Sequence, residues 1–175
     1  MKYFKQIMSG IDVQPLLRQV NAHPELWGHE WTQTKTNPIP TILDELQNIV
    51  LRYNKSPAWN KPAFAILNEA QKIILDLMRT IPGEHLGKVI ISRLPPGQKI
   101  NWHVDTWPGP GEPYFQRYQI PLQANTGVFF HAGDEILQMM PGNAYWFNNQ
   151  ARHQVTNDSN TDRISMLADI KPFIV

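Results

Sequence analysis

Lys88-Val89-Ile90-Ile91-Ser92-Arg93-Leu94-Pro95-Pro96-Gly97-Gln98-Lys99-Ile100-Asn101-Trp102-His103-Val104-Asp105 is the stretch whose reading decides the fold. A β-branched run, a Pro-Pro-Gly turn and a second short run follow one another directly, the signature of two strands joined by a tight connection. From Gly87 onward the same punctuation recurs. Candidate strands fall at 88–94, 99–103, 114–122, 127–131, 135–139, 144–147, 152–156 and 163–170, separated by turn signals such as Pro108-Gly109-Pro110-Gly111, Ala132-Gly133-Asp134 and Pro141-Gly142-Asn143. Strands this short and this evenly spaced indicate a β-sandwich or jelly roll rather than a parallel α/β sheet.

Upstream, the pattern is helical where it is regular at all. Ile66, Ala70, Ile73, Ile74, Leu77, Met78 and Ile81 form one apolar stripe, so the spacing predicts an amphipathic helix over 63–80, started by Pro62 and stopped by Pro82-Gly83. A shorter helix is expected over 13–21, with Asp12 as its cap. Residues 48–53 fit either a strand or a helix. Trp27 and Trp31 read as core anchors. The expected organisation is one domain over 1–175, mainly β with flanking helices: a flanking region over 1–87 and a β core over 88–170.

Composition narrows the function. Sixteen basic residues against fifteen acidic ones leave a net charge of +1, with no cationic run, so neither a nucleic acid nor a membrane surface is an expected partner. The chain has no cysteine, which excludes disulfides, thiolate ligands and a cysteine nucleophile. Met1-Lys2-Tyr3-Phe4-Lys5-Gln6 is not followed by an apolar stretch of signal-peptide length, and nothing approaches the roughly 18 apolar residues of a membrane span. A soluble, cytoplasmic protein is expected; no feature sets an oligomeric state.

The chemistry-bearing residues are His103, Asp105, His153 and Arg163. Residues two apart on a strand share a face, so His103 and Asp105 can reach one ion while Val104 points away. With His153 converging on them, two imidazoles and a carboxylate would make the three-point facial clamp of non-haem Fe(II) oxygenases. The bland alternative is a surface histidine beside an aspartate. Arg163 alternates with apolar Ile164 and Met166, and a buried guanidinium needs an anionic partner, either a ligand or one of Asp162 and Asp169. In Phe115-Gln116-Arg117-Tyr118-Gln119-Ile120 the alternation sets Arg117 and Gln119 on a polar face directed at the pocket. Trp102, Trp107, Tyr145, Trp146 and Phe147 are candidates for its dry wall or equally for plain core, with core the favoured role for Tyr145, and His23, His29, His85 and His131 read as loop or turn residues.

Arg93-Leu94-Pro95-Pro96-Gly97 leading to His103-x-Asp105, Arg117 with Ile120-Pro121-Leu122, Pro141-Gly142 before Trp146-Phe147, and His153-x-Val155-x-Asn157 before Arg163 together resemble the aspartyl/asparaginyl β-hydroxylase family of 2-oxoglutarate- and Fe(II)-dependent oxygenases. The resemblance implies a double-stranded β-helix (jelly roll, cupin-like), with His103, Asp105 and His153 as Fe(II) ligands. It implies that 2-oxoglutarate and O₂ are co-substrates, with Arg163 holding the distal carboxylate, Ser92 assisting and Arg117 contacting co-substrate or substrate. Gln119 stands where members often carry histidine; with Trp102 and Trp107 it is expected on the substrate side. The implied reaction hydroxylates an amino acid, free or within a peptide or protein. A cupin-like metal enzyme that does not use 2-oxoglutarate, or a non-catalytic jelly-roll module, would share the barrel.

Overall fold

The computed structural model describes residues 1–28, 46–53, 59–105 and 115–173. Trp31, His29, Trp107 and the 108–111 turn lie outside them. The centre of the molecule is β4 (Gly83–Leu94), flanked by β11 (Arg163–Pro172) on one side and β2 (Gln47–Tyr53) on the other. Its Val89-Ile90-Ile91 run packs on both faces, as suits a central strand buried on both sides. Among the described residues the major sheet has seven strands in the order β1-β9-β6-β11-β4-β2-β3, with β1 at Phe4–Met8, β3 at Trp59–Asn60, β6 at Gln116–Gln123 and β9 at Ala144–Phe147. Among the same residues the minor sheet has four, ordered β5-β10-β7-β8: β5 (Lys99–His103), β7 (Val128–Ala132), β8 (Glu135–Leu137) and β10 (His153–Asn157). Every pairing is antiparallel.

Strand alternation sorts the apolar residues into two layers. Val89, Ile91, Tyr118, Ile120, Ile164 and Met166 turn to the outer face of the major sheet and pack against the helices. Phe4, Leu94, Ile100, Phe130, Phe147 and Val155 fill the space between the sheets. Full burial of a side chain such as Leu77 is worth about 1.5–3 kcal/mol.

Two helices differ from the expectations. The 63–80 helix is two: α2 (Ala63–Ile66) and α3 (Glu69–Thr80), with α1 (Gln14–Ala22) packed beside them. The break at Leu67 shifts the helical phase, so Leu67 is buried while Ile66 faces out. Gln19 of α1 holds the new helix start, donating to Asn68 Oδ1 at 2.7 Å and accepting from the Glu69 amide at 3.2 Å. Asp12 accepts from the Gln14 amide at 3.1 Å although Val13 holds the cap position. Residues 47–53 resolve as a strand, and β1, β2 and β3 carry the major sheet into the region before residue 87. Among the described residues no helix is long and apolar enough to cross a membrane.

Two antiparallel sheets packed face to face, the larger one backed by helices, make this a double-stranded β-helix.

Candidate metal centre

His103 closes β5, and His153 opens the neighbouring β10 directly across from it in the antiparallel register. Asp105 lies two residues beyond β5. The three offer one ligand atom each within 4.8 Å of one another, with His103 Nε2 at 3.9 Å from Asp105 Oδ1 and His153 Nε2 at 4.0 Å from Asp105 Oδ2. Both rings are held from behind. His103 Nδ1 donates to Asn101 O at 2.7 Å and His153 Nδ1 donates to Ala151 O at 2.9 Å. A carbonyl can only accept, so each Nδ1 carries a proton, which leaves each Nε2 as the nitrogen turned toward the carboxylate.

Electrostatics keep the donors in ligand form. Burial favours neutral His153, and although Asp105 opposes this, the imidazole stays below its ordinary pKa. Burial would raise Asp105, but Arg117 foremost, then His153, Lys88 and His103, outweigh it and hold the carboxyl below its usual range. Phe130 stacks on His153 at 5.9 Å between centroids and Phe147 meets it edge-on at 5.2 Å, so one wall is dry. Two imidazoles and a carboxylate fit a divalent first-row metal such as Fe(II).

The opposite wall belongs to the major sheet. Ser92 of β4 pairs with Ser165 of β11, and Ser92, Gln119 and Arg163 all line the same pocket as the histidines. Arg163 is 4% exposed. Its Nη2 donates to Gln119 Oε1 at 3.2 Å, and Ser165 donates to the same oxygen at 2.7 Å. Gln119 therefore turns its carbonyl toward Arg163. No described carboxylate pairs with Arg163: Asp162 meets Arg93 at 3.3 Å and Asp169 meets Arg117 at 2.7 Å. Burial, unopposed, lowers the Arg163 guanidinium to about 10.

Arg117 is held by two carboxylates. Its Nε and Nη2 grip Asp169 at 2.7 and 2.9 Å, and its Nη1 bonds Asp105 Oδ2. These partners keep it charged despite its burial. Lys88, on the same face of β4 as Ser92, is pushed down to about 8 by burial and by Arg117, against the pull of Asp169 and Asp105. Neither Asp169 nor Lys88 was an expected site residue. The signal for both is alternation: Asp169 follows Arg163, Ser165 and Leu167 at even spacing, and Lys88 precedes Ile90 and Ser92.

Several expected pocket residues lie elsewhere. Trp102 is 39% exposed on the outer face of β5, against His131 and beneath Arg152, because the alternation that turns His103 inward turns its neighbour out. Trp146 packs toward the helix-side core, leaving Phe147 as the wall. Tyr145 is core, its hydroxyl accepting from the Met140 amide. His85 and His131 sit in strands rather than turns, and Trp107 falls outside the described residues. Leu46, from the first half of the chain, completes the lining.

Known proteins place this arrangement. The fold matches the viral collagen prolyl hydroxylase of Paramecium Bursaria Chlorella virus-1, solved as a 2-oxoglutarate complex, at TM-score 0.62 and 12% identity over 98% of this chain and 97% of that one. A Trichoplax adhaerens prolyl hydroxylase in complex with a peptide of hypoxia inducible factor matches at TM-score 0.63 and 11% identity, covering 96% and 83%. A Pseudomonas putida prolyl-4-hydroxylase matches at TM-score 0.57 and 10% identity, covering 98% and 93%. Comparison with curated sequences finds no significant match. The model of the Aspartyl/Asparaginyl beta-hydroxylase family matches residues 47–172, from β2 to the end of β11. With that match over well more than half its length, the chain belongs to the aspartyl/asparaginyl β-hydroxylase family, whose members are 2-oxoglutarate-dependent hydroxylases.

Proposed function

We propose that the chain hydroxylates an amino acid, free or within a peptide or protein, using Fe(II), 2-oxoglutarate and O₂ in a single oxygenase domain. The observation that carries the reading is Arg163, a guanidinium sealed into the pocket of His103, Asp105 and His153 with no described carboxylate beside it. A buried unpaired cation is costly, and a dicarboxylate ligand would remove the cost. Fe(II), when bound, supplies the redox chemistry by which 2-oxoglutarate and O₂ become succinate and CO₂ with one oxygen atom passing to a substrate C–H bond.

The chain's own residues do the orienting. His103, Asp105 and His153 would hold the metal; Arg163 would bind the distal carboxylate of 2-oxoglutarate by a charge-assisted hydrogen bond. Ser92, on the adjacent strand, is within the same lining and offers a hydroxyl donor. Gln119 fixes the Arg163 fork, and Phe130 and Phe147 exclude water from the histidine side.

Anaerobic addition of Fe(II) and 2-oxoglutarate is expected to produce the weak visible charge-transfer band of a chelated keto acid. The band should be absent in His153→Ala. In Arg163→Ala it should return only at higher 2-oxoglutarate. A chain that binds iron but gives no band at any 2-oxoglutarate concentration would instead be a cupin-like metal enzyme. The substrate is then sought by following succinate formation across a panel of amino acids and peptides.

A further inference from the structure

We propose that Asp169 is a positioning residue for the metal carboxylate, acting through Arg117; the inference rests on reading the pocket as a metal centre. Asp105 lies past the end of β5 and belongs to neither sheet. The 148–150 turn holds its backbone: its amide donates to Asn149 O at 3.1 Å, and its carbonyl accepts from Gln150 Nε2 at 3.3 Å. Its side chain is held from the opposite sheet. Asp169 of β11 stands directly across from Arg117 of β6 in the strand register. The carboxylate, 1% exposed, takes two nitrogens of a guanidinium on a residue that is 6% exposed, through bonds of 2.7 and 2.9 Å. A two-point grip on a planar group fixes its rotation, and the remaining nitrogen, Nη1, is thereby aimed at Asp105 Oδ2.

Two consequences follow for Asp105. Oδ2 bonds Arg117 and lies 4.0 Å from His153 Nε2, while Oδ1, free of Arg117, lies 3.9 Å from His103 Nε2. The carboxylate is thus held in a set orientation with one oxygen kept free of Arg117. Without Asp169, Arg117 would be a buried cation whose nearest anion is Asp105, free to rotate and take both of its oxygens in competition with a metal. Asp169 therefore aims the clamp and also stops Arg117 from neutralising the ligand.

Co(II) titration of the chain, read by affinity and by the visible d–d band, tests this without turnover. One Co(II) bound by the unaltered chain establishes the metal centre by itself; no binding there overturns the metal reading and this inference with it. Given that binding, Asp169→Asn is expected to hold Co(II) about 10–100-fold more weakly, with a shifted band. The double variant Arg117→Met/Asp169→Leu removes the guanidinium together with its anchor, leaves Asp105 without its ion-pair partner, and should show the same weakening at a lowered but still cooperative melting transition. Either variant folded, with its band unchanged and its Co(II) affinity within about twofold of the unaltered chain, overturns the positioning role and leaves the pair as a brace between strands.

Discussion

A guanidinium that is 4% exposed and hydrogen-bonded to an amide carbonyl, with no described carboxylate beside it, is a liability to the ligand-free fold. The burial that lowers Arg163 to about 10 measures the same cost. Function and stability therefore pull in opposite directions at this residue. Arg163→Met keeps most of the volume and removes the charge, so the ligand-free chain should gain about 1 kcal/mol, a rise of roughly 2–4 °C in melting temperature for a chain of this size. Affinity for 2-oxoglutarate should fall by about 10–150-fold, the worth of one charge-assisted hydrogen bond of about 1.5–3 kcal/mol. Calorimetric melting of both chains, with a 2-oxoglutarate titration of each, separates the two effects. A melting temperature that drops while affinity is retained would make Arg163 a structural residue.

At the scale of elements, alternation made most of the site readable in advance. Arg117 and Gln119 on one face of β6, with Tyr118 and Ile120 on the other, is the arrangement found. The same rule, applied further, would have resolved the partner of Arg163. Asp169 lies six residues along the same strand, about 20 Å away at the rise of a β-strand, too far to pair with it, while its face brings it beside Arg117. Other elements carried no such signal. β1 buries only Phe4 fully and depends on pairing with β9, so its local sequence does not alternate clearly. The α2–α3 break is held by Gln19 from another helix, a contact that no local sequence shows. The turn from β7 to β8 was legible as Ala132-Gly133-Asp134, but its second constraint was not. Gly133 has φ +56°, and a Cβ there would lie 2.4 Å from the Tyr3 ring. Gly133→Ala is therefore expected to cost about 2 kcal/mol, of which the left-handed backbone accounts for about 1. In a Tyr3→Ala background only the backbone part should remain. Urea denaturation of the four chains gives the comparison; equal costs in both backgrounds would show that the Tyr3 contact is irrelevant.

In the whole molecule, the pocket is a joint between two sheets. The minor sheet contributes His103 and His153, the major sheet contributes Ser92, Gln119, Arg117 and Arg163, and Asp105 on the connecting segment is tied to the major sheet through Arg117. Anything binding all three metal donors must stiffen this joint and be linked to folding, since the donors lie far apart in an unfolded chain. At about 100 times its dissociation constant, Mn(II) should stabilise the chain by about 2.7 kcal/mol, or roughly 5–11 °C in melting temperature. A chelator should reverse the shift, and His153→Ala should abolish it. Adding 2-oxoglutarate to the Mn(II) form should raise the melting temperature again, because on the proposed function a dicarboxylate held by both the metal and Arg163 would load both sheets at once. In Arg163→Met the Mn(II) shift should persist while the 2-oxoglutarate increment shrinks. Loss of the Mn(II) shift itself in that variant would mean that the two sheets do not respond as separate sides of one joint.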